Sequence, residues 1–126
     1  MPAFERSPAP SGPVVRGYAG GGFSVDGKTY QAVMLTPERT IVWDAPAPGA
    51  LAVGHVESAL ALEPPPEFLL LGTGSRQVFP PVALARSLDE RGIGLEVMDS
   101  RAAARTWMVL RAEERWIAAA LMPLDD

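Results

Sequence analysis

Apolar and polar residues alternate through the first half of the chain and cluster in the second. That change of rhythm predicts two kinds of architecture. Phe23-Ser24-Val25 alternates, Asp26-Gly27 interrupts, and Lys28-Thr29-Tyr30 resumes the pattern. Asp-Gly between such segments signals a two-residue hairpin, because a type I′ turn needs positive φ at both central positions. The strand is expected to continue from Gln31 to Thr36, turn at Pro37-Glu38-Arg39 and return over Thr40-Ile41-Val42-Trp43. With Val14–Tyr18 ahead of them, these segments predict an antiparallel β meander. A loop from Asp44 to Gly49 follows, carrying Pro46 and Pro48.

Beyond that loop, helical and extended patterns take turns. His55 to Leu60 predicts a short helix, ended by Glu63-Pro64-Pro65-Pro66. Phe68-Leu69-Leu70-Leu71 is an unbroken apolar run between proline and glycine, the pattern of a strand buried on both faces. Pro80-Pro81 opens a helix with Leu84 and Leu88 at i, i+4 spacing, and Gly92 suits its C′ position. Gly94–Met98 is the next strand, Asp99 or Ser100 caps a helix to about Leu110, and Arg115–Met122 reads as a last strand. Strand–helix–strand crossovers of this length imply parallel pairing. Phe68–Leu71 and Leu95–Met98 are therefore expected side by side in the middle of one mixed, mainly parallel sheet, and the fold class is α/β.

Residues 1–13 hold Pro2, Pro8, Pro10 and Pro13 with Ser7, Ser11 and Gly12, a composition that buries little and predicts a removable flexible arm. Residues 14–126 are then a single domain. Composition removes several chemistries. The chain of 126 residues has no cysteine and one histidine, His55, so thiolate metal sites, cysteine nucleophiles and a histidine-based triad are set aside. No metal, cofactor or catalytic residue is assigned. A net charge of −4 is the wrong sign for a protein that grips a phosphate backbone, so nucleic acid is not an expected partner. No run approaches the roughly 18 apolar residues of a membrane span. Pro2 and Glu5 stand where a leader peptide needs a basic start and an apolar run, and a cytoplasmic location is expected.

The sharpest local feature is Gly72-Thr73-Gly74-Ser75-Arg76, directly after the buried strand. Glycines there permit a tight exit from a central strand. They also let amide N–H groups approach an anion, with Arg76 adding a charged fork. The segment lacks a P-loop lysine, and the next helix starts too late for a dinucleotide fingerprint. Asp99-Ser100, with Arg105-Thr106 following, ends the next strand, so both segments are expected at the carboxyl edge of the sheet, where open α/β sheets place ligands. The candidate contact residues are Gly72, Thr73, Gly74, Arg76, Asp99, Ser100, Arg105 and Thr106. Asp99 equally suits a helix cap, and Arg105 an ion pair with it. If the two segments form a site, Arg76 should point toward the Asp99 loop.

These residues also carry a resemblance. Gly17-Tyr18 with Gly20-Gly21-Gly22-Phe23, the run Leu69–Arg76, the run Gly92–Asp99 and Ala103-Ala104-Arg105-Thr106 resemble one family over about residues 14–122. It is the domain of unknown function shared by mitochondrial respiratory complex I assembly factor 3, an adipogenesis-associated cytosolic protein and many small bacterial and archaeal proteins. The resemblance implies three layers: a central mixed sheet with helices on one side and a small β layer plus helix on the other. It brings no established enzyme activity. It implies instead an accessory factor that binds a protein partner, with respiratory complex assembly as the attested mitochondrial example. The family's Ala-Cys-Arg-Thr-Tyr-Asn stretch here reads Ala103-Ala104-Arg105-Thr106-Trp107-Met108, so Ala104 replaces a thiol and Met108 an amide. The competing reading is a small anionic-ligand binder or enzyme at the sheet edge.

Overall fold

Asp26 and Gly27 take φ values of 49° and 85°, the positive pair a type I′ turn requires. The turn joins β2 (Gly22–Val25) to β3 (Lys28–Tyr30), and β1 (Val15–Ala19) pairs along the other side of β2. The result is a three-stranded antiparallel sheet. The computed structural model describes residues 12–124.

The expected meander does not continue as one sheet. After Tyr30 the chain leaves the small sheet, and β4 (Val33–Leu35) and β5 (Thr40–Val42) enter a second sheet. Burial explains the split: Lys28 to Tyr30 is exposed or half-buried, whereas Val33-Met34-Leu35 is buried throughout and must lie between two layers. The second sheet adds β6 (Phe68–Gly72), β7 (Gly94–Met98) and β8 (Ala118–Leu121) in the order β5-β4-β8-β6-β7. β6 and β7 are parallel neighbours, as expected, but β7 stands at the edge rather than in the middle. Gly94 and Glu96 are exposed on β7, a pattern compatible with an edge. The central place belongs to β8, every residue of which is buried; it runs parallel to β6 and antiparallel to β4.

The helices are α1 (Glu57–Leu60), α2 (Val82–Glu90) and α3 (Ser100–Ala112). The helix expected from His55 shortens to one α turn. His55 lies in a preceding 3-10 turn, where its Nδ1 accepts the Ala52 amide at 3.0 Å. α2 ends in a Schellman motif: Gly92, at φ 74°, donates to Asp89 O, and Ile93 donates to Leu88 O. Leu84 and Leu88 bury fully beneath it, each contributing about 1.5–3 kcal/mol.

Alternation along the strands divides the core between two faces. Leu69, Leu71, Ala118 and Ala120 meet Leu84, Leu88 and Leu60 on the α1/α2 side. Leu70, Ala119 and Leu121 meet Trp107 and Ala103 of α3 and Phe23 and Val25 of the small sheet on the other. The layers are thus α1/α2, the five-stranded sheet, and α3 beside the small sheet, as the family resemblance implies.

The arm expected over residues 1–13 lies outside the described residues, apart from Gly12 and Pro13. Pro13 is buried, and its carbonyl accepts the indole N–H of the fully buried Trp107 at 3.3 Å. Trp107→Phe removes that donor and leaves a small void. The expected cost is about 2 kcal/mol, read as a fall of about 10 °C in Tm by calorimetry. An unchanged Tm would show that this hydrogen bond does not hold the start of the domain.

Candidate functional site

β6 leaves the sheet through Gly72, against which the first turn of α3 packs directly. A Cβ on Gly72 would stand 2.7 Å from Ser100 Cα and 2.8 Å from Ser100 Oγ, so only glycine fits. Gly74, at φ 99°, turns the chain back, and its N–H donates to Ser100 Oγ at 2.8 Å. That hydroxyl, fully buried, donates in turn to Met122 O at 2.8 Å. The Ser100 amide donates to Gly74 O, and the Met122 amide to Gly72 O. The Thr73 amide donates to Met98 O, while Thr73 Oγ1 donates to Arg76 O at 2.7 Å and accepts from the Val78 amide at 2.9 Å. Asp99 takes the cap position, its Oδ1 accepting the Ala102 amide at 2.8 Å.

The carboxyl ends of β6, β7 and β8 are therefore tied to one another. Gly72, Thr73, Gly74, Asp99 and Ser100 come together as the sequence suggests, but their polar groups face each other. In particular, the amides of Thr73 and Gly74 already have acceptors, which leaves neither to cradle an anion.

The arginines part company. Arg76 is exposed and lines a cavity of about 510 Å³ between Thr73–Val78, Met122-Pro123 and the loop Ala45–Gly49. It takes part in neither ion pair found among the described residues, and in the Asp99 loop, toward which a site would have it point, the carboxylate serves as a helix cap. Arg105 is exposed on α3 and lines a different groove, against β1. It does not pair with Asp99. Thr106 is half-buried, its hydroxyl 3.6 Å from Met98 Sδ.

Sequence reasoning did not reach Met122, Pro123, the Ala45–Gly49 loop or β1 as neighbours of these residues. Only the i, i+4 spacing of Arg101, Arg105 and Val109 signals an outward stripe on α3. The displaced pKa values lie elsewhere. A hydrogen bond from Arg115 holds the Glu67 carboxyl below its ordinary value, and one from Arg91 does the same for Glu57. Because these pKa values are lowered, what the pairs contribute is present at neutral pH and lost on acidification through the carboxylate range. Both pairs are exposed and contribute little.

Comparison with known proteins places this architecture. Residues 15–122 match the family described as "Protein of unknown function (DUF498/DUF598)". The chain belongs to that family. It is 33 % identical over 116 residues, 91 % of its length, to the zebrafish (Danio rerio) "NADH dehydrogenase [ubiquinone] 1 alpha subcomplex assembly factor 3". It spans 67 % of that protein and 58 % of the bovine (Bos taurus) counterpart. Among solved structures, a Bordetella parapertussis protein superposes with a TM-score of 0.82 at 35 % identity, covering 92 % of this chain and 99 % of that one. A Bordetella pertussis protein described as a Mth938-like domain superposes with a TM-score of 0.81 at 29 % identity, covering 100 % of this chain and 94 % of that one. Among the described residues no helix is long and apolar enough to cross a membrane.

The tied strand ends make Ser100 a stability residue. Ser100→Ala leaves the Gly74 amide and Met122 carbonyl buried without their partner, at an expected cost of about 3 kcal/mol. Arg76→Ala, on the surface of the same loop, should stay within about 0.5 kcal/mol. Urea unfolding of both variants measures the difference, and equal midpoints would overturn this assignment.

Proposed function

We propose that the protein is a non-enzymatic accessory factor that acts by holding a protein partner during assembly of a multisubunit complex. The observation that carries this reading is the zebrafish relative, an assembly factor by name, matched along 91 % of the chain. The geometry supports it. The edge where an open α/β sheet would bind a small ligand spends its backbone groups on Ser100 and Thr73, whereas apolar side chains such as Tyr18, Phe79 and Val109 stand exposed elsewhere. On this reading the partner belongs to a respiratory complex or to its assembly machinery.

A second reading keeps the small anion, with Arg76 over its cavity as the observation in favour. Its weakness is the engaged pair of amides, which leaves one exposed guanidinium to do all the binding.

Affinity capture from the native cell, followed by mass spectrometry, separates the two. Wild-type protein should enrich a protein partner in near-stoichiometric amount, and Arg76→Ala should enrich it equally. No enrichment over an unrelated bait would sink the accessory reading. Loss of capture with Arg76→Ala alone would move the binding site to the Arg76 cavity.

A further inference from the structure

β1 is an outer strand of the small sheet, and between it and α3 runs a groove of about 340 Å³. Missing side chains make the groove. A Cβ built on Gly17 would meet nothing within 4 Å, and Ala104, fully buried, contributes only a methyl group to the floor. Met108 completes that floor, and its Sδ accepts the Val15 amide at 3.4 Å. Tyr18 and Val109, 40 % and 58 % exposed, flank it. The Tyr18 ring is held edge-on against Phe23, with centroids 6.1 Å apart, and its hydroxyl donates to Arg101 O at 3.3 Å. Contacts within the chain thus hold the groove's walls in place.

Its rim is basic. Arg16 and Arg105 line it, and the Arg101 guanidinium lies 5.4 Å from the Tyr18 ring centre. The pairing of β1 with β2 shifts register between Val15 and Gly17, so Arg16 is the extra residue of a bulge, which re-aims its side chain. Among the described residues no carboxylate lines the groove, and none of these arginines belongs to either ion pair. The chain as a whole carries −4, yet charges more than about 10 Å away are largely screened at ordinary salt. An apolar trough edged with arginine complements an acidic segment that presents an apolar side chain. A phosphate backbone would match the rim and waste the floor.

We infer that the groove between β1 and α3 is the partner-docking surface, and that its occupant is an acidic peptide segment of the partner protein, anchored by apolar side chains. This rests on the accessory reading above and names the surface that reading requires.

The test uses the isotope-labelled full chain in solution, titrated with a synthetic amphipathic peptide of glutamate and leucine. The same peptide with lysine for glutamate and an oligothymidylate serve as competing probes. Amide shifts should appear over Val15–Ala19 and Ala104–Val109 with the Glu/Leu peptide alone, and shrink as salt rises from about 0.05 M to about 0.5 M. The double variant Arg16→Glu/Arg105→Glu should weaken binding about tenfold or more. Gly17→Val fills the floor at a position whose φ accepts a side chain, so it should weaken binding with Tm unchanged. Absence of shifts, equal response to the lysine peptide or the oligonucleotide, or binding that ignores both variants would overturn the assignment. Cell capture then tells the two failures apart. A partner retained by both groove variants removes the groove and keeps the accessory reading, whereas wild-type protein that enriches no partner removes the accessory reading itself.

Discussion

The buried hydroxyl of Ser100 is the point on which the arrangement of strands depends. It accepts from the amide that follows β6 and donates to the carbonyl that follows β8, while its own residue begins the helix that follows β7. In a medium where an unmade hydrogen bond costs more than a made one returns, such a shared group fixes relative position. Gly72 belongs to the same device. Without a side chain there, α3 can seat its first turn on the strand backbone and bring the hydroxyl within reach of both chains. The carboxyl edge of the sheet is in this protein a structural joint, although it occupies the place where many α/β sheets bind ligands.

Much of the local structure was legible in the sequence because its causes are local. Asp26-Gly27 announces a hairpin through φ alone, Gly92 ends α2 for the same reason, and Asp99 caps α3 with an oxygen already beside the amide it needs. Strand order was not legible. Val33–Leu35 follows Lys28–Tyr30 almost without a break, yet the two serve different sheets, and only the burial demanded by distant residues separates them. Likewise the apolar character of Leu95 and Val97 suggested a central strand, but one apolar face packed on α2 satisfies both residues at an edge.

The candidate residues come together only in part, for a related reason. Gly72 to Gly74 and Asp99-Ser100 do converge, since parallel neighbours bring their ends together. Arg105 departs because the helix turns it away. Ala103, Ala104 and Trp107 occupy the face of α3 that meets the sheet, which leaves Arg101 and Arg105 on the outside. The open side of β7 is managed as well: Gln77 Nε2 donates to Val97 O at 2.8 Å, covering a carbonyl that a second strand would otherwise find.

The position of β8 bears on how the chain reaches this state. It is the last strand among the described residues, and because β4 and β6 make no ladder with each other, it alone bridges them. During synthesis the two halves of the sheet therefore cannot be joined until residues 118–121 have left the ribosome. Closure joins residues nearly ninety positions apart, a loop whose entropy must be met before the pairing returns anything. The sequence Ala-Ala-Ala-Leu has little tendency to extend by itself and few atoms to misplace, so this segment becomes a strand only in the slot prepared for it. Ribosome-bound chains that end before Ala118 are where exposed edges would meet the cell's chaperones.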